Sequence, residues 1–338
     1  MRVEYFERTP LDAEFYDKYL KDRIPSKLID MHLHFTKPEF CTNLQVDPNS
    51  WASQCSSKME FEDYKYYANI FYPDTEFFVN ALPSVTKGID IVGNNGYIAE
   101  LKAAGKAKYA HMLVNPEWTG DYTEKMFLEG NFDGYKPYPD YVSGKRGAEI
   151  GMFDFVNPDQ YEILNKYNKS MVLHLPRAGR YPDDNNIKEL ITIREKYPNI
   201  KVIIAHCGRS YAMYFITEAA RKLGSMFNDF YYDLAAVLNP EVLDFMMANV
   251  DNKRIMYGTD LPVFLWHGKR RWTYTEYFNL VREDFKFNKH EEGPEKEAGY
   301  TFFLYEQLKN ILDVTDKYGG KKTAEDIFYN NAVRIVEG

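Results

Sequence analysis

Cysteine is scarce: Cys41, Cys55 and Cys207 are the only three in 338 residues, and no two form a C-x-x-C pair. That argues against a disulfide scaffold and a cysteine zinc cluster, and it suits a reducing compartment. No apolar run approaches the roughly 18 residues that span a bilayer. Residues 1–10 also lack the positive cap and apolar core of a secretory leader. A basic excess is missing as well, since 42 Lys+Arg stand against 50 Asp+Glu for a net charge of −8, which argues against nucleic acid as a partner. Internal repeats, linkers and low-complexity tracts are absent. The expectation is a cytoplasmic protein folded as a single domain over residues 1–338, acting on a small molecule rather than on a membrane or nucleic acid.

What is abundant is aromatic: 28 Tyr and 23 Phe help bring the aromatic share to 16%, which implies a bulky core with tyrosines at its edges or an aromatic-lined pocket. Short apolar segments bounded by Pro, Gly, Asn or Asp recur along the chain, as buried parallel strands do. The strand candidates are Leu28–Phe35, Phe77–Leu82, Ala107–Val114, Phe132–Lys136, Met171–Leu175, Lys201–His206, Phe230–Leu234 and Arg254–Thr259. Amphipathic stretches alternate with them. Asn186–Tyr197 sets Ile187, Leu190, Ile191 and Arg194 near one face, and Tyr211–Leu223 and Pro240–Val250 follow the same period. His174, His206, Asp233 and Asp260 are spaced by 32, 27 and 27 residues, about one βα unit each. Eight strands with interleaved helices predict a (β/α)8 TIM barrel, with a doubly wound sheet as the alternative. Residues 1–25 precede the first strand as an extension. Residues 36–76 and 261–299 exceed ordinary βα-loop length, and both would emerge on the C-terminal face, where barrel enzymes keep their chemistry.

The seven histidines are not scattered at random. His32 and His34 sit two apart in Ile29-Asp-Met-His-Leu-His-Phe35, and residues two apart share a face of a strand. Leu28, Asp30, His32 and His34 would then point into the barrel, where two imidazoles can share one metal ion. His174 ends Met171-Val-Leu-His174. His206 ends Val202-Ile-Ile-Ala-His206, with Val202, Ile204 and His206 on one face, and Asp260 ends Ile255-Met-Tyr-Gly-Thr-Asp260. Polar residues that terminate apolar strands are how barrel active sites are built. His111, His267 and His290 fit the pattern less well and read as structural or peripheral.

This order, H-x-H on the first strand, His on the fifth, His on the sixth and Asp on the eighth, resembles the amidohydrolase superfamily. More narrowly it resembles the amidohydrolase-related branch that includes aminocarboxymuconate-semialdehyde decarboxylase, resorcylate-type decarboxylases and several lactonases. Gly134-Tyr-Lys136, Ile204-Ala-His-Cys-Gly208, Tyr257-Gly-Thr-Asp260 and the closing Asp326-Ile-Phe-Tyr-Asn-Asn-Ala332 add to the likeness, which spans about residues 26–336. The resemblance implies that His32, His34, His174 and Asp260 bind one divalent metal, zinc by expectation and manganese as the alternative. Asp260 would also act as general base, and His206 would polarise a carbonyl or protonate a leaving group. Asp30 would be a partner behind the ligands or a buried anchor. Lys136, followed here by Pro137-Tyr138 where branch members often carry an apolar residue, could bridge a second ion if carboxylated, or make a structural or substrate contact.

Arg177 and Arg209 follow His174 and His206 by three residues each, and Lys269-Arg270-Arg271 lies on the last long loop. Arginine grips carboxylate or phosphate bidentately, so Arg177 and Arg209 are candidate binders of an anionic substrate. Trp51, Tyr64, Tyr66, Tyr67, Trp266 and Trp272 would form a lid, stack on a ring, or pack the loops together. The expected activity is hydrolysis of an amide, ester or lactone, with decarboxylation of a small unsaturated or aromatic acid as the alternative. The long aromatic loops are also compatible with a homo-oligomer in which one subunit closes the other's site.

Overall fold

The computed structural model describes residues 6–45, 54–55, 58–145, 147–286, 288 and 290–338. Eight parallel strands pair in sequential order: β1 (Lys27–Phe35), β2 (Glu76–Pro83), β3 (Tyr109–Met112), β4 (Gly134–Tyr135), β5 (Ser170–Leu173), β6 (Lys201–Ile204), β7 (Tyr231–Asp233) and β8 (Ile255–Met256). The last strand returns to the first. Met31 N donates to Tyr257 O at 3.1 Å, Asp260 N to His32 O at 2.7 Å, and His34 N to Leu261 O at 2.9 Å. Sequential order with such a seam is a (β/α)8 barrel and excludes the doubly wound sheet, whose order reverses at a switch point. All eight expected strands are present.

Helices fill each crossover. α1 (Pro10–Phe15) lies in the N-terminal extension, and α2 (Phe61–Phe71), α3 (Ile91–Ala103), α4 (Gly120–Glu129), α5 (Pro158–Lys166), α6 (Asp184–Lys196), α7 (Met213–Leu223) and α8 (Pro240–Asn249) separate the strands. Local chemistry sets their starts. Asn157 and Gln160 form a capping box ahead of α5, and Asn239 caps α8 with Pro240 at its first position. After β8 come α9 (Phe303–Thr315) and, at the end of the described chain, α10 (Asn331–Glu337).

Two apolar clusters separate the inside of the barrel from its coat. Ile29, Met31, Leu82, Val172, Ile203 and Met256 from five strands meet Ala332 and Ile335 of α10, which plugs the barrel floor. Leu28, Val79, Met171, Val202, Ile204 and Tyr257 instead pack with the helices. This corrects two face assignments. β1 carries a register shift between Asp30 and Leu33, and a bulge of this kind re-aims the side chains that follow it. Asp30 therefore faces the coat with Leu28, while His32 and His34 turn into the mouth. His206 likewise does not share a face with Val202 and Ile204. The strand has ended, and His206 adopts φ 55°, which swings its ring inward.

Each long loop has internal structure. About a quarter of 36–76 is α2 itself, the ordinary first barrel helix. The 261–299 segment holds an antiparallel hairpin, β9 (Gly268–Trp272) with β10 (Tyr277–Val281). The N-terminal extension is tied to it, since the buried Asp12 accepts from Phe302 N at 2.8 Å and lies 3.0 Å from His267 Nε2. Of the loop aromatics, Tyr64, Tyr67 and Trp266 are core, Tyr66 is exposed and Trp272 half-buried; Trp51 lies outside the described residues. Among the described residues no helix is long and apolar enough to cross a membrane.

Candidate metal centre and active site

The β8–β1 seam delivers the central residues. The same backbone hydrogen bonds that close the barrel fix His32, His34 and Asp260 across from one another. Behind them, Asp30 accepts from Thr259 Oγ1 at 2.5 Å, Thr259 N at 3.0 Å and His32 N at 3.1 Å. Its carboxyl is pushed up to about 7 by burial, against those hydrogen bonds. Asp30 thus anchors backbone on both sides of the seam and is not a partner of an imidazole ring.

Three imidazoles present Nε2 to Asp260. His34 Nδ1 donates to Pro83 O at 2.7 Å, and His206 Nδ1 donates to Ala235 O at 3.0 Å. A carbonyl can only accept, so in the neutral rings Nε2 carries the lone pair. His32 Nδ1 lies 2.9 Å from Asp233 Oδ2, which fixes the same tautomer when Asp233 is ionised. His32 Nε2 is 3.4 Å from Asp260 Oδ1, His34 Nε2 3.6 Å from the same oxygen, and His206 Nε2 4.0 Å from Oδ2. Burial drives His32 well below the ordinary imidazole value, reinforced by Lys136 and His206 against the pull of Asp260. Burial likewise lowers His206, against Asp260 and Asp233. Burial alone would raise Asp260, but His206, His34 and His32 hold its carboxyl far below the usual carboxylate range.

Lone pairs and a carboxylate converging in a largely buried mouth repel one another unless a cation joins them. His32 Nε2 is buried and has no hydrogen-bond partner among the described residues. Donors around an ion with bonds of about 2.1 Å stand roughly 3.4 Å apart, and the spacing of His32, His34 and Asp260 matches that. These residues therefore fit a divalent metal. A second group at ligand spacing, His32, His206 and Asp233, is better explained as a brace. Both oxygens of Asp233 are already engaged, by His32 Nδ1 and by the N–H groups of His206 (2.8 Å) and Ala235 (3.1 Å).

The other expected residues take varied places. His174 stands one ring further out, its centroid 5.5 Å from His206 and 5.0 Å from Tyr138, and it is not within either group of donors. Lys136 is buried at the end of β4 with Nζ unpartnered among the described residues, and burial pushes it down to about 8 against Asp260 and Asp233. Arg177 is engaged elsewhere, bidentate to Glu189 at 2.7 and 3.1 Å and bonded to Asn186 Oδ1 at 2.7 Å. Among the described residues Arg209 uses only Nη1, on the carbonyls of Leu175 and Arg177. His111 is structural, between Asn80 Oδ1 and Ser170 Oγ at 2.7 Å each, and burial takes it down to about 3. Asp233 enters the sequence reading only as a spacing marker with no site role, although it ends an apolar strand midway between His206 and Asp260. Tyr138 and Tyr211, whose ring is 6.4 Å from His206, carry no comparable signal.

Left-handed backbone clusters at this rim. Arg177, Arg180, His206, Cys207, Arg209, Ala236 and Asp260 all have φ between 48° and 65°. Such residues cost on the order of 1–3 kcal/mol each and gather where a site needs them. Gly208 shows the crowding, because a Cβ there would meet the Tyr181 ring at 2.4 Å.

Among curated proteins none matches this sequence. Solved structures do. The probable 2-pyrone-4,6-dicarboxylic acid hydrolase of Acinetobacter baumannii, solved with citric acid bound, superposes with a TM-score of 0.56 at 12% identity, covering 92% of this chain and 99% of that one. The 2,6-dihydroxybenzoate decarboxylase from Rhizobium gives 0.55 at 12%, with coverages of 93% and 99%. A dihydroxybenzoic acid decarboxylase from Polaromonas, with manganese and 2-nitroresorcinol bound, gives 0.54 at 13%, with 93% and 97%. At such identities the likeness speaks for the fold alone. The amidohydrolase family model, however, matches residues 29–337, nearly the whole sequence, and the chain belongs to that family.

Proposed function

We propose that the protein is a metal-dependent hydrolase cleaving an amide, ester or lactone bond in a small anionic substrate. The observation that carries this reading is the convergence of His32 Nε2, His34 Nε2 and Asp260 Oδ1 at ligand spacing in the barrel mouth. These residues would hold one divalent ion, with His174 as the further ligand that the family resemblance implies. Zinc is the proposed ion and manganese, bound by the Polaromonas neighbour, the alternative. When bound, such an ion supplies Lewis-acid polarisation and brings the pKa of a water towards about 7.

The chain's own groups handle the protons. Asp260, kept ionised by its imidazole neighbours, accepts the proton of the attacking water as general base. His206 offers an unprotonated Nε2, because its Nδ1–H is held by Ala235 O. It must first take up a proton before giving one to the leaving group, so it serves as a shuttle and not as a standing acid. As water adds to the carbonyl carbon and the bond to the leaving group breaks, the water's proton ends on that group. Lys136, buried and unpartnered, and Arg209, with most of its guanidinium unengaged, attract the substrate's negative charge.

Decarboxylation rests on the same donors and on the two neighbours named as decarboxylases. There Asp260 or His206, after taking up a proton from solvent, would pass it to the carbon as the bond to CO2 breaks. The deciding experiment is a product screen of lactones, amides and unsaturated acids with the metal-loaded enzyme. A new carboxylate without gas supports hydrolysis, and released CO2 replaces it with the second reading. Loss of every activity in His34→Ala with unchanged folding is expected under both. The cytoplasm is the proposed location, on the cysteine usage.

A further inference from the structure

Three arginines line the mouth beside the imidazoles, and none has a carboxylate partner among the described residues. Every hydrogen bond they make ends on a neutral oxygen: Arg180 on Arg209 O, Arg209 on Leu175 O and Arg177 O, and Arg270 on Ala236 O and Asn279 Oδ1. The neighbouring cations differ. Lys269 pairs with Glu292, Arg271 with Glu291 and Arg177 with Glu189. On β9, therefore, the alternation of a strand turns Lys269 and Arg271 towards acidic partners, and Arg270 towards the barrel with none.

Arg270 is 5% exposed. Its guanidinium carbon lies 4.5 Å from the Tyr211 ring and 4.7 Å from the Tyr277 ring, and that of Arg180 lies 5.7 and 5.0 Å from the same two rings. The rings meet edge-on at 4.9 Å. Two guanidinium groups thus share one aromatic corner, with Tyr211 next to His206. Stacking on tyrosine offsets part of the cost of burying a cation. It does not cancel the repulsion that Arg180 exerts on Arg270 across this corner, and an anion between them would.

We propose that Arg180, Arg209 and Arg270 form a carboxylate pocket next to the metal donors, and that the substrate is a small dicarboxylate. One carboxylate would lie in the Tyr211–Tyr277 corner against Arg180 and Arg270. The other, or the group derived from it, would lie towards Arg209 and His174. Carboxylate suits this pocket because the guanidinium fork matches its two oxygens, and the flanking rings suit a flat carbon skeleton. The proposal rests on the barrel-mouth site of the preceding section and deepens it by naming the substrate class.

The test uses metal-loaded full-length protein and three probes, isophthalate, benzoate and inorganic phosphate, titrated calorimetrically, with metal content measured on the same samples. Isophthalate should bind about tenfold or more tighter than benzoate and phosphate. Arg270→Met should remove that advantage and Arg270→Lys should keep part of it. Arg180→Met, at a half-buried position, repeats the test if Arg270→Met fails to fold. Equal binding of isophthalate and benzoate, no binding of isophthalate, tighter binding of phosphate, or an advantage that survives both methionine variants would each overturn the proposal. A sample that carries metal but does not discriminate sinks this inference alone. One that discriminates without taking up metal sinks the metal-centre reading and leaves the arginine pocket standing.

Discussion

Asp233 Oδ2 lies 2.9 Å from His32 Nδ1, and the same carboxylate takes the backbone N–H of His206 through Oδ1 at 2.8 Å. One side chain at the end of β7 therefore sets the tautomer of one imidazole and the backbone of another. Partners of this kind commonly control metal affinity by 10–100-fold.

Asp233→Asn tests that control. The amide keeps one acceptor for the two backbone N–H groups and turns an NH2 towards His32 Nδ1. His32 must then protonate Nε2, the atom that faces Asp260. Metal affinity, read by competition with a chelating dye, should fall about 10–100-fold at unchanged fold. Unaltered affinity would leave Asp233 a purely structural brace.

The barrel and the seam residues were legible from sequence because strand-terminal polar residues stand out against apolar runs. Faces were harder. Strict alternation placed Asp30 with His32 and His34, and it failed because the bulge before Leu33 adds a residue that no hydrophobic pattern announces. His206 was assigned to the right strand end on a mistaken face, since its direction comes from a left-handed residue beyond β6. Arg177 and Arg270 looked alike as rim cations. Only the third dimension shows Glu189 beside one and two tyrosine rings beside the other.

Arg177 and Arg209 should therefore behave differently once a substrate is known. Arg177→Met breaks a bidentate pair and leaves Glu189 half-satisfied, which is expected to cost about 1–3 kcal/mol of stability with KM within twofold of wild type. Arg209→Met should leave stability nearly unchanged and raise KM about tenfold. Urea unfolding and steady-state kinetics on both variants decide it. A raised KM for Arg177→Met alone would reverse the assignment.

Lys136 separates one ion from two. Elemental analysis should find about one metal per chain in wild type and in Lys136→Met, with KM for an anionic substrate raised about tenfold in the variant by loss of the buried cation. His32→Ala/His34→Ala should hold none. Two ions in wild type, falling to one in Lys136→Met, would instead make the lysine a carboxylated bridge.

His267 ties the N-terminal extension to the loop after β8, and its charge should register in stability. Buried, it lies with Nε2 3.0 Å from Asp12 Oδ2 and Nδ1 2.7 Å from Glu283 Oε1, with Arg282 Nη2 at 2.7 Å from Nδ1 and sharing the Glu283 carboxylate. Burial alone would lower it, but the two carboxylates outweigh burial and raise it above the ordinary imidazole value. A group raised in the folded state stabilises fully below its unfolded pKa, about 6.5, and loses that contribution as pH climbs through the folded value. Asp12 shifts the other way: burial opposes, but His267 and Thr9 hold it low. Its contribution is lost only as pH falls below about 4. Unfolding free energy from denaturant titration should therefore decline above about pH 6.5, by at most about 1.4 kcal/mol per pH unit from this one proton. His267→Gln should be less stable at pH 6 and lack that share of the decline. The exposed His290 remains in both proteins, so the difference between the two curves isolates His267. Parallel curves from pH 6 to 9 would show that His267 holds the extension as a neutral ring.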